Sequence, residues 1–240
     1  MPNIPDQLPS CNGHYSHHMT KHVTSRITSS STANQNMEEF MISIRKDAEA
    51  ATALAERLKP DLVKGFVDII EKCNGCLITS GIGKSGIVAE RMSRSLSSTG
   101  TPAHYVHGAE WTHGDLGKAR RGDVCVFFSH SGNTRECIFA ASHLRLRGVH
   151  ILSVIGHDDC KLAESSDAFI SYELENDLEE PIGGVPTTSV VLQEMIINAV
   201  VCELITRKRF SKIEFARNHP GGSLGVKLCQ PSIDMNDENQ

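Results

Sequence analysis

Three turns in this sequence carry residue types whose spacing suits anion chemistry. The first is Gly81-Ile82-Gly83-Lys84-Ser85-Gly86, which follows an apolar run and leads into a helical pattern. Glycines in such a turn let backbone N–H groups approach an anion closely. Three readings compete. A Walker loop needs a glycine five residues before Gly83, and Ile78 stands there. The spacing does fit the Gly-x-Gly-x-x-Gly of dinucleotide sites. Those sites also want an acid at the end of the second strand, which here ends Tyr105-Val106-His107 with no acid before Glu110. The third reading is a sugar-phosphate turn in which Lys84 acts directly. A cation in a helix's first turn opposes the helix dipole, and an anionic ligand relieves the conflict. The plain alternative is a solvated lysine without a role.

The second turn is Ser129-His130-Ser131-Gly132-Asn133-Thr134-Arg135-Glu136, where an apolar run ends abruptly in hydroxyls and then a helix. Hydroxyl donors and helix N-terminal amides suit a phosphate. Simple capping is the competing account, because Asn133 with Glu136 three residues later resembles a capping box. The third turn, Gly183-Gly184-Val185-Pro186-Thr187-Thr188-Ser189, opens a long helical pattern with good initiation signals and could also line a pocket. His219-Pro220-Gly221-Gly222 reads as a turn whose histidine is able to act as an acid or base near neutrality. Cys73-Asn74-Gly75-Cys76 matches a redox motif or half a zinc site. No second pair with zinc spacing follows, and the preferred reading is a helix-to-strand turn.

These turns need elements to hold them. Residues 37–58 form an amphipathic helix by pattern, with Phe40, Met41, Ile44, Ala48, Ala51, Leu54 and Leu58 near one face. Pro60 breaks it, and residues 61–73 form a second helix with Leu62, Phe66, Ile69 and Ile70 inward. Short apolar runs at 76–80, 103–107, 123–129, 150–155 and 168–172 read as strands. Residues 84–97 and 134–146 read as helices between them, 187–207 as a long later helix and 211–218 as a shorter one. Strands alternating with helices predict βαβ crossovers, a parallel sheet and an α/β fold. In such a sheet ligands bind beyond the carboxyl ends of the strands, where the strand order reverses.

The chain has 240 residues, 39% hydrophobic and 22% charged, with a formal net charge of −5 and a pI near 6.2. That suffices for one sizeable core, and the absence of a long basic run argues against nucleic acid as a partner. No uninterrupted apolar stretch of spanning length occurs. The run from 190 to 205 is broken by Gln193, Glu194, Asn198 and Glu203 and reads as a buried or interface helix. The 8 cysteines are scattered, with no secretory signal, which predicts reduced thiols in a cytoplasmic protein. Residues 1–35 are rich in Ser, Thr, Asn, Pro and His and are expected to be a disordered tail. They lack the Arg-rich pattern of an organellar presequence, and nothing fixes their histidines for metal. Residues 36–228 are expected to form one domain and 229–240 a loose tail.

Taken together the turns resemble the sugar isomerase (SIS) domain family, and within it the D-arabinose 5-phosphate isomerases. The resemblance runs through Gly81–Gly86, Ser98-Thr99-Gly100-Thr101-Pro102, His107-Gly108-Ala109-Glu110 and His113-Gly114-Asp115-Leu116-Gly117. It continues through Ser129–Glu136, Pro186-Thr187-Thr188-Ser189 and His219-Pro220-Gly221-Gly222-Ser223-Leu224-Gly225. It implies a three-layer, doubly wound, flavodoxin-like sheet of five strands that assembles into dimers or tetramers with sites at subunit contacts. It also implies interconversion of D-ribulose 5-phosphate and D-arabinose 5-phosphate without a cofactor or metal. By position Lys84, His113, Glu136 and His219 match residues at the active centre, and Ser129, Ser131 and Thr134 match the phosphate loop. Gly83, Ser85 and Thr187 complete the expected binding set, and His219 is expected to reach a neighbouring subunit's site. Bacterial full-length members carry a tandem CBS pair after the SIS domain. This chain stops too soon for one, so control by that module is not expected. Where family members place a Glu three residues before the matching proline, this chain has Leu178, with Glu179 beside it as a substitute.

The expected chemistry moves a proton between adjacent carbons through an enediol, with Glu136 as carbon base, His219 assisting ring opening or oxygen proton transfer, and Lys84 polarising oxygens or holding phosphate. The reverse assignment, with His219 as carbon base, stays open on sequence. A non-catalytic phosphosugar-binding regulator is the competing class, an isomerase of another ketose phosphate a variant of the first, and a dinucleotide-dependent dehydrogenase the third.

Overall fold

The computed structural model describes residues 37–174, 180–221 and Gly225. The expected tails at 1–35 and 229–240, and the expected substitution at Leu178 and Glu179, lie outside the described residues. From Glu38 onward the described residues belong to one compact unit. Its elements are α1 (Glu38–Arg57), α2 (Pro60–Glu71), β1 (Leu77–Gly81), α3 (Gly83–Ser98), β2 (Ala103–His107), β3 (Val124–Ser129), α4 (Arg135–Leu146), β4 (His150–Ile155), α5 (Lys161–Ser165), β5 (Ala168–Ser171), α6 (Thr188–Arg207) and α7 (Lys212–Asn218). Two short 3₁₀ turns, Glu110–His113 and Asp115–Lys118, follow β2.

The five strands pair in parallel in the order β2-β1-β3-β4-β5. β1 and β3 are buried along their whole length. β3 therefore reads as a continuous apolar run up to Phe128, whereas β1 buries Thr79, which donates to the Ala89 carbonyl, and Ser80, which accepts from the Trp111 indole. Alternation still sorts their side chains. Leu77, Val126 and Phe128 face a layer built from α1, α2, α3 and α6, while Ile78, Cys125 and Phe127 face α4 and Trp111. Each buried phenylalanine contributes about 2–3 kcal/mol through removal of apolar surface from water.

The Cys-x-x-Cys segment is the predicted turn between α2 and β1. The buried Asp123 carboxylate accepts from the amides of Cys76 and Arg120, both at 2.8 Å. A Cβ on Gly75 would lie 2.3 Å from that carboxylate, so the position takes only glycine. Both thiols are free. Cys76 Sγ lies 3.0 Å from His104 Nδ1, and burial raises the thiol's pKa.

The expected inward face of α1 is only partly buried. Ala50 and Leu54 enter the core, whereas Phe40, Met41 and Ile44 are exposed in the single chain, as is Leu62 of α2. Periodicity identified residues that share a face, but α1 packs on α6 rather than on the sheet, and only its second half is buried there. Among the described residues only α6 is long and apolar enough to cross a membrane, and half of it is buried within the fold. Leu192, Ile196, Ile197, Val200 and Leu204 pack it into the core.

Candidate active site at the carboxyl rim of the sheet

β1 leads to β2 on one side, and the chain then crosses back to lay β3 on the other side of β1. The order therefore reverses between β1 and β3, and a doubly wound sheet opens its ligand crevice there. The two turns singled out in the sequence leave these two adjacent strands. Gly81 pairs with Phe128 across the ladder, and a Cβ on Gly81 would lie 3.0 Å from the Phe128 carbonyl oxygen. Strand spacing of about 4.8 Å brings the two turns side by side.

Neither helix that opens here is capped by a side chain. α3 begins after Ile82, with Gly83 at φ 61, and its first turn holds no acid; Lys84 stands in that turn and is exposed. α4 begins after Thr134, and the capping box of the competing account does not form. Asn133 turns away, with its Oδ1 accepting from the Lys161 amide at 3.2 Å and its Nδ2 donating to the Ser131 carbonyl at 3.1 Å. Glu136 is exposed in the first turn of α4. Gly132 is held at φ 60 with its α-carbon against Cys160, where a Cβ would meet Sγ at 2.1 Å. Ser129 Oγ and Thr134 Oγ1 lie 2.9 Å apart at the mouth of the turn, and Ser131 is exposed. Just before α4 the Asn133 amide donates to Ser131 Oγ at 3.1 Å, but among the described residues no side chain caps either helix, and both N-termini present positive dipole ends.

The third turn behaves differently. Glu180, 7% exposed, reaches the start of α6. Its Oε2 accepts from the Thr187 amide at 2.8 Å, the Thr187 hydroxyl at 2.5 Å and the Thr188 amide at 3.1 Å, and its Oε1 from the Ser189 amide at 2.7 Å. Burial pushes this carboxyl up, but the bonds from Ser189 and Thr187 outweigh it and hold the pKa below the ordinary value. Thr187, expected to bind substrate, therefore has both its amide and its hydroxyl engaged by the chain itself.

His113 is exposed in the 3₁₀ turn after β2, which Trp111 anchors by donating from Nε1 to Ser80 Oγ at 2.8 Å. His107 Nδ1 accepts from the Ala109 amide at 3.3 Å, a structural bond. Ser85 accepts from Gln193 Nε2 at 3.2 Å. His219 stands apart from all of these. The neighbouring Asn218 donates to the Ser98 carbonyl at 3.1 Å, at the far end of α3. The 16 residues of α3 put about 24 Å between its two ends. One chain alone does not bring His219 to Lys84 and Glu136. A groove of about 600 Å³ lies along β5 and α2 and contains none of the candidate residues. Among the described residues no group of three His, Cys, Asp or Glu is arranged to hold a metal ion.

Sequence reasoning did not single out Glu180, Tyr172, Gln193 or His130, which converge behind the rim. Gln193 was visible only as a polar interruption of an apolar helix, and that is the signal that could have found it.

The SIS domain model matches residues 69–202, a span that contains the β1 and β3 turns and the start of α6. The chain is 36% identical over 197 residues to the arabinose 5-phosphate isomerase KpsF of Escherichia coli, covering 80% of this chain and 60% of that protein. It is 36% identical over 182 residues to the arabinose 5-phosphate isomerase GutQ of Salmonella typhi, covering 76% and 56%. It thus spans about 60% of the length of these curated relatives. An Escherichia coli CFT073 protein solved in complex with A5P superposes with a TM-score of 0.73 at 26% identity, over 79% of this chain and 100% of that one.

Proposed function

Since the chain belongs to the SIS domain family, we propose that it is a phosphosugar aldose–ketose isomerase interconverting D-arabinose 5-phosphate and D-ribulose 5-phosphate. The observation that carries this reading is the pair of uncapped helix N-termini at the strand-order reversal, with Lys84 in the first turn of one and Glu136 in the first turn of the other. The amides of α4 with Ser129, Ser131 and Thr134 hold the phosphate. Gly83 keeps the β1 turn open to the sugar, and Ser85 and His113 line it. Glu136 takes the proton from C2 of the open-chain aldose and returns it to C1, while Lys84 stabilises charge on the enediolate oxygens. Thr187 is left out of the binding set because Glu180 holds its polar groups.

His219 completes the site from a second copy, because its own chain keeps it at the opposite end of α3. The exposed stripe of Phe40, Met41 and Ile44 on α1 offers an apolar surface for that assembly. Mixing Glu136→Gln and His219→Asn protomers tests this, since a shared site regains activity in the mixed oligomer.

The deciding experiment is an isomerase assay across pentose and hexose phosphates. Turnover of D-arabinose 5-phosphate is expected. Binding without turnover of any sugar would instead make the chain a phosphosugar-binding regulator. Tight binding of a nicotinamide dinucleotide would move it to the dehydrogenases.

A further inference from the structure

Behind the rim a file of polar groups joins the β1 turn to the β3 turn through the packed layer. Gln193 Nε2 lies 3.2 Å from Ser85 Oγ and 2.8 Å from Tyr172 OH, and Tyr172 OH lies 2.9 Å from His130 Nδ1. Gln193 and Tyr172 are 1% and 0% exposed, while Ser85 and His130 are half-buried at the two ends.

The directions of these bonds are constrained. With its nitrogen between Ser85 and Tyr172, the Gln193 amide uses both N–H groups and leaves one buried acceptor, Oε1, unpaired. Turned over, the amide would strand two buried N–H donors instead. Each stranded group carries its full desolvation penalty, so one orphan is the lower-energy choice. The Tyr172 hydroxyl accepts from Gln193, and its own proton is directed to His130 Nδ1. The imidazole proton then resides on Nε2. Burial lowers the pKa of His130, in keeping with a neutral ring. The ring stacks on Tyr172 with centroids 5.9 Å apart and lies close against Gly156, where an added Cβ would come within 2.8 Å of Nδ1. At the other end Ser85 Oγ also accepts from Gln193, which leaves its O–H to point elsewhere. Both ends of the file are donors, and they belong to the two turns that flank the crevice.

We propose that this file sets the donor polarity of the site: His130 is a further binding residue that gives its Nε2–H to an anionic oxygen of the sugar phosphate, and Tyr172 and Gln193 are positioning residues that hold it in that tautomer. The proposal rests on the sugar-phosphate reading above.

Steady-state kinetics on D-arabinose 5-phosphate with the full chain test it. His130→Asn keeps a polar atom near the Nδ1 position for Tyr172 and removes the donor at Nε2, whereas His130→Gln does the reverse. The expected result is a KM raised about tenfold in His130→Asn with kcat changed little, and a KM near wild type in His130→Gln. Tyr172→Phe frees the tautomer but keeps the ring, and raises KM by a smaller factor of about three. A purely structural file gives the opposite order. Asn then behaves as wild type, while Gln loses kcat and melting temperature together at constant KM. That order overturns the proposal. Should His130→Asn fail to fold, calorimetry of inorganic phosphate binding to Tyr172→Phe carries the test, weaker binding supporting the proposal and unchanged binding overturning it. A wild-type chain that turns over no sugar phosphate removes both the functional reading and this inference. Wild-type turnover with an unmoved KM in His130→Asn removes this inference alone.

Discussion

The turns before α4 and α6 look alike in sequence, each a run of hydroxyl residues leading into a helix, yet the fold uses them in opposite ways. At α6 the chain has filled the helix N-terminus itself, with the Glu180 carboxylate accepting four hydrogen bonds from Thr187, Thr188 and Ser189. At α4 the residue placed to cap, Asn133, instead braces the start of α5 through the Lys161 amide, and no side chain closes the helix. α3, on the neighbouring strand, is likewise uncapped and carries a lysine where dipole logic prefers an acid. An N-terminus already satisfied by its own chain is a structural joint. Two left open side by side, on the strands where the sheet order reverses, are what the proposed anion site is built on.

The comparison is broken most sharply by Glu136→Gln. If the open pair is catalytic, kcat falls by about 10²–10⁴ while affinity for inorganic phosphate holds, because the amides and hydroxyls of the turn are untouched. Unchanged turnover in this variant removes Glu136 as the carbon base. Gly132→Ala comes next. The new Cβ would meet Cys160 Sγ at 2.1 Å, and the backbone sits at φ 60. Denaturant unfolding is expected to record a loss of about 2–4 kcal/mol. The variant's KM should rise as well, since the turn cannot shift without moving Ser131.

Much of this was legible in the sequence for identifiable reasons. β3 is buried on both faces and stands out as an apolar run, β1 opens with the apolar pair Leu77-Ile78, and the glycines and hydroxyls that end both strands punctuate the chain where the sheet order reverses. What pattern could not supply is the partner of each polar group. Asn133 and Glu136 have capping-box spacing, but the Asn133 side chain is claimed by Lys161, in an element 28 residues on. Gln193 and His130 meet through Tyr172, 21 and 42 residues away from it. Such contacts depend on the stacking of layers. The same limit applies to α1, where periodicity placed Phe40, Met41 and Ile44 on one face without revealing what covers it.

Glu180→Ala sharpens the comparison from the other side. It leaves the α6 amides without their acceptor and is expected to lower stability at neutral pH by about 1–3 kcal/mol, with little change in the KM for sugar phosphate. The pH dependence has a definite sign. The folded pKa of Glu180 is depressed, so its contribution is fully present above the unfolded value of about 4.5 and is lost as pH falls through the folded value below it. Unfolding of wild type and Glu180→Ala should therefore converge on acidification below about pH 4.5. A stability gap that persists or widens there means that the carboxylate's charge is not what holds α6. A large rise in KM would mean that this N-terminus, too, serves the ligand.

The smallest effect concerns the hydroxyls of the open turn. Ser129 Oγ and Thr134 Oγ1 lie 2.9 Å apart, so in the absence of ligand each satisfies the other. Ser129→Ala leaves the half-buried Thr134 hydroxyl where water can replace its partner and should change stability by no more than about 1 kcal/mol, whereas Thr134→Val strands the hydroxyl of the buried Ser129 and should cost about 1–2 kcal/mol. Bound phosphate alters the relation, because both hydroxyls can then donate to its oxygens and no longer need each other. Each single variant should raise KM a few-fold. The double variant should do so by roughly the product of the two, while the stability losses of the singles should not add. Additivity in binding with non-additivity in folding is the signature of two groups that pair only until a ligand separates them. At the α6 turn, where Thr187 is already held by Glu180, the same measurements on Thr187→Val should register in stability and leave KM alone.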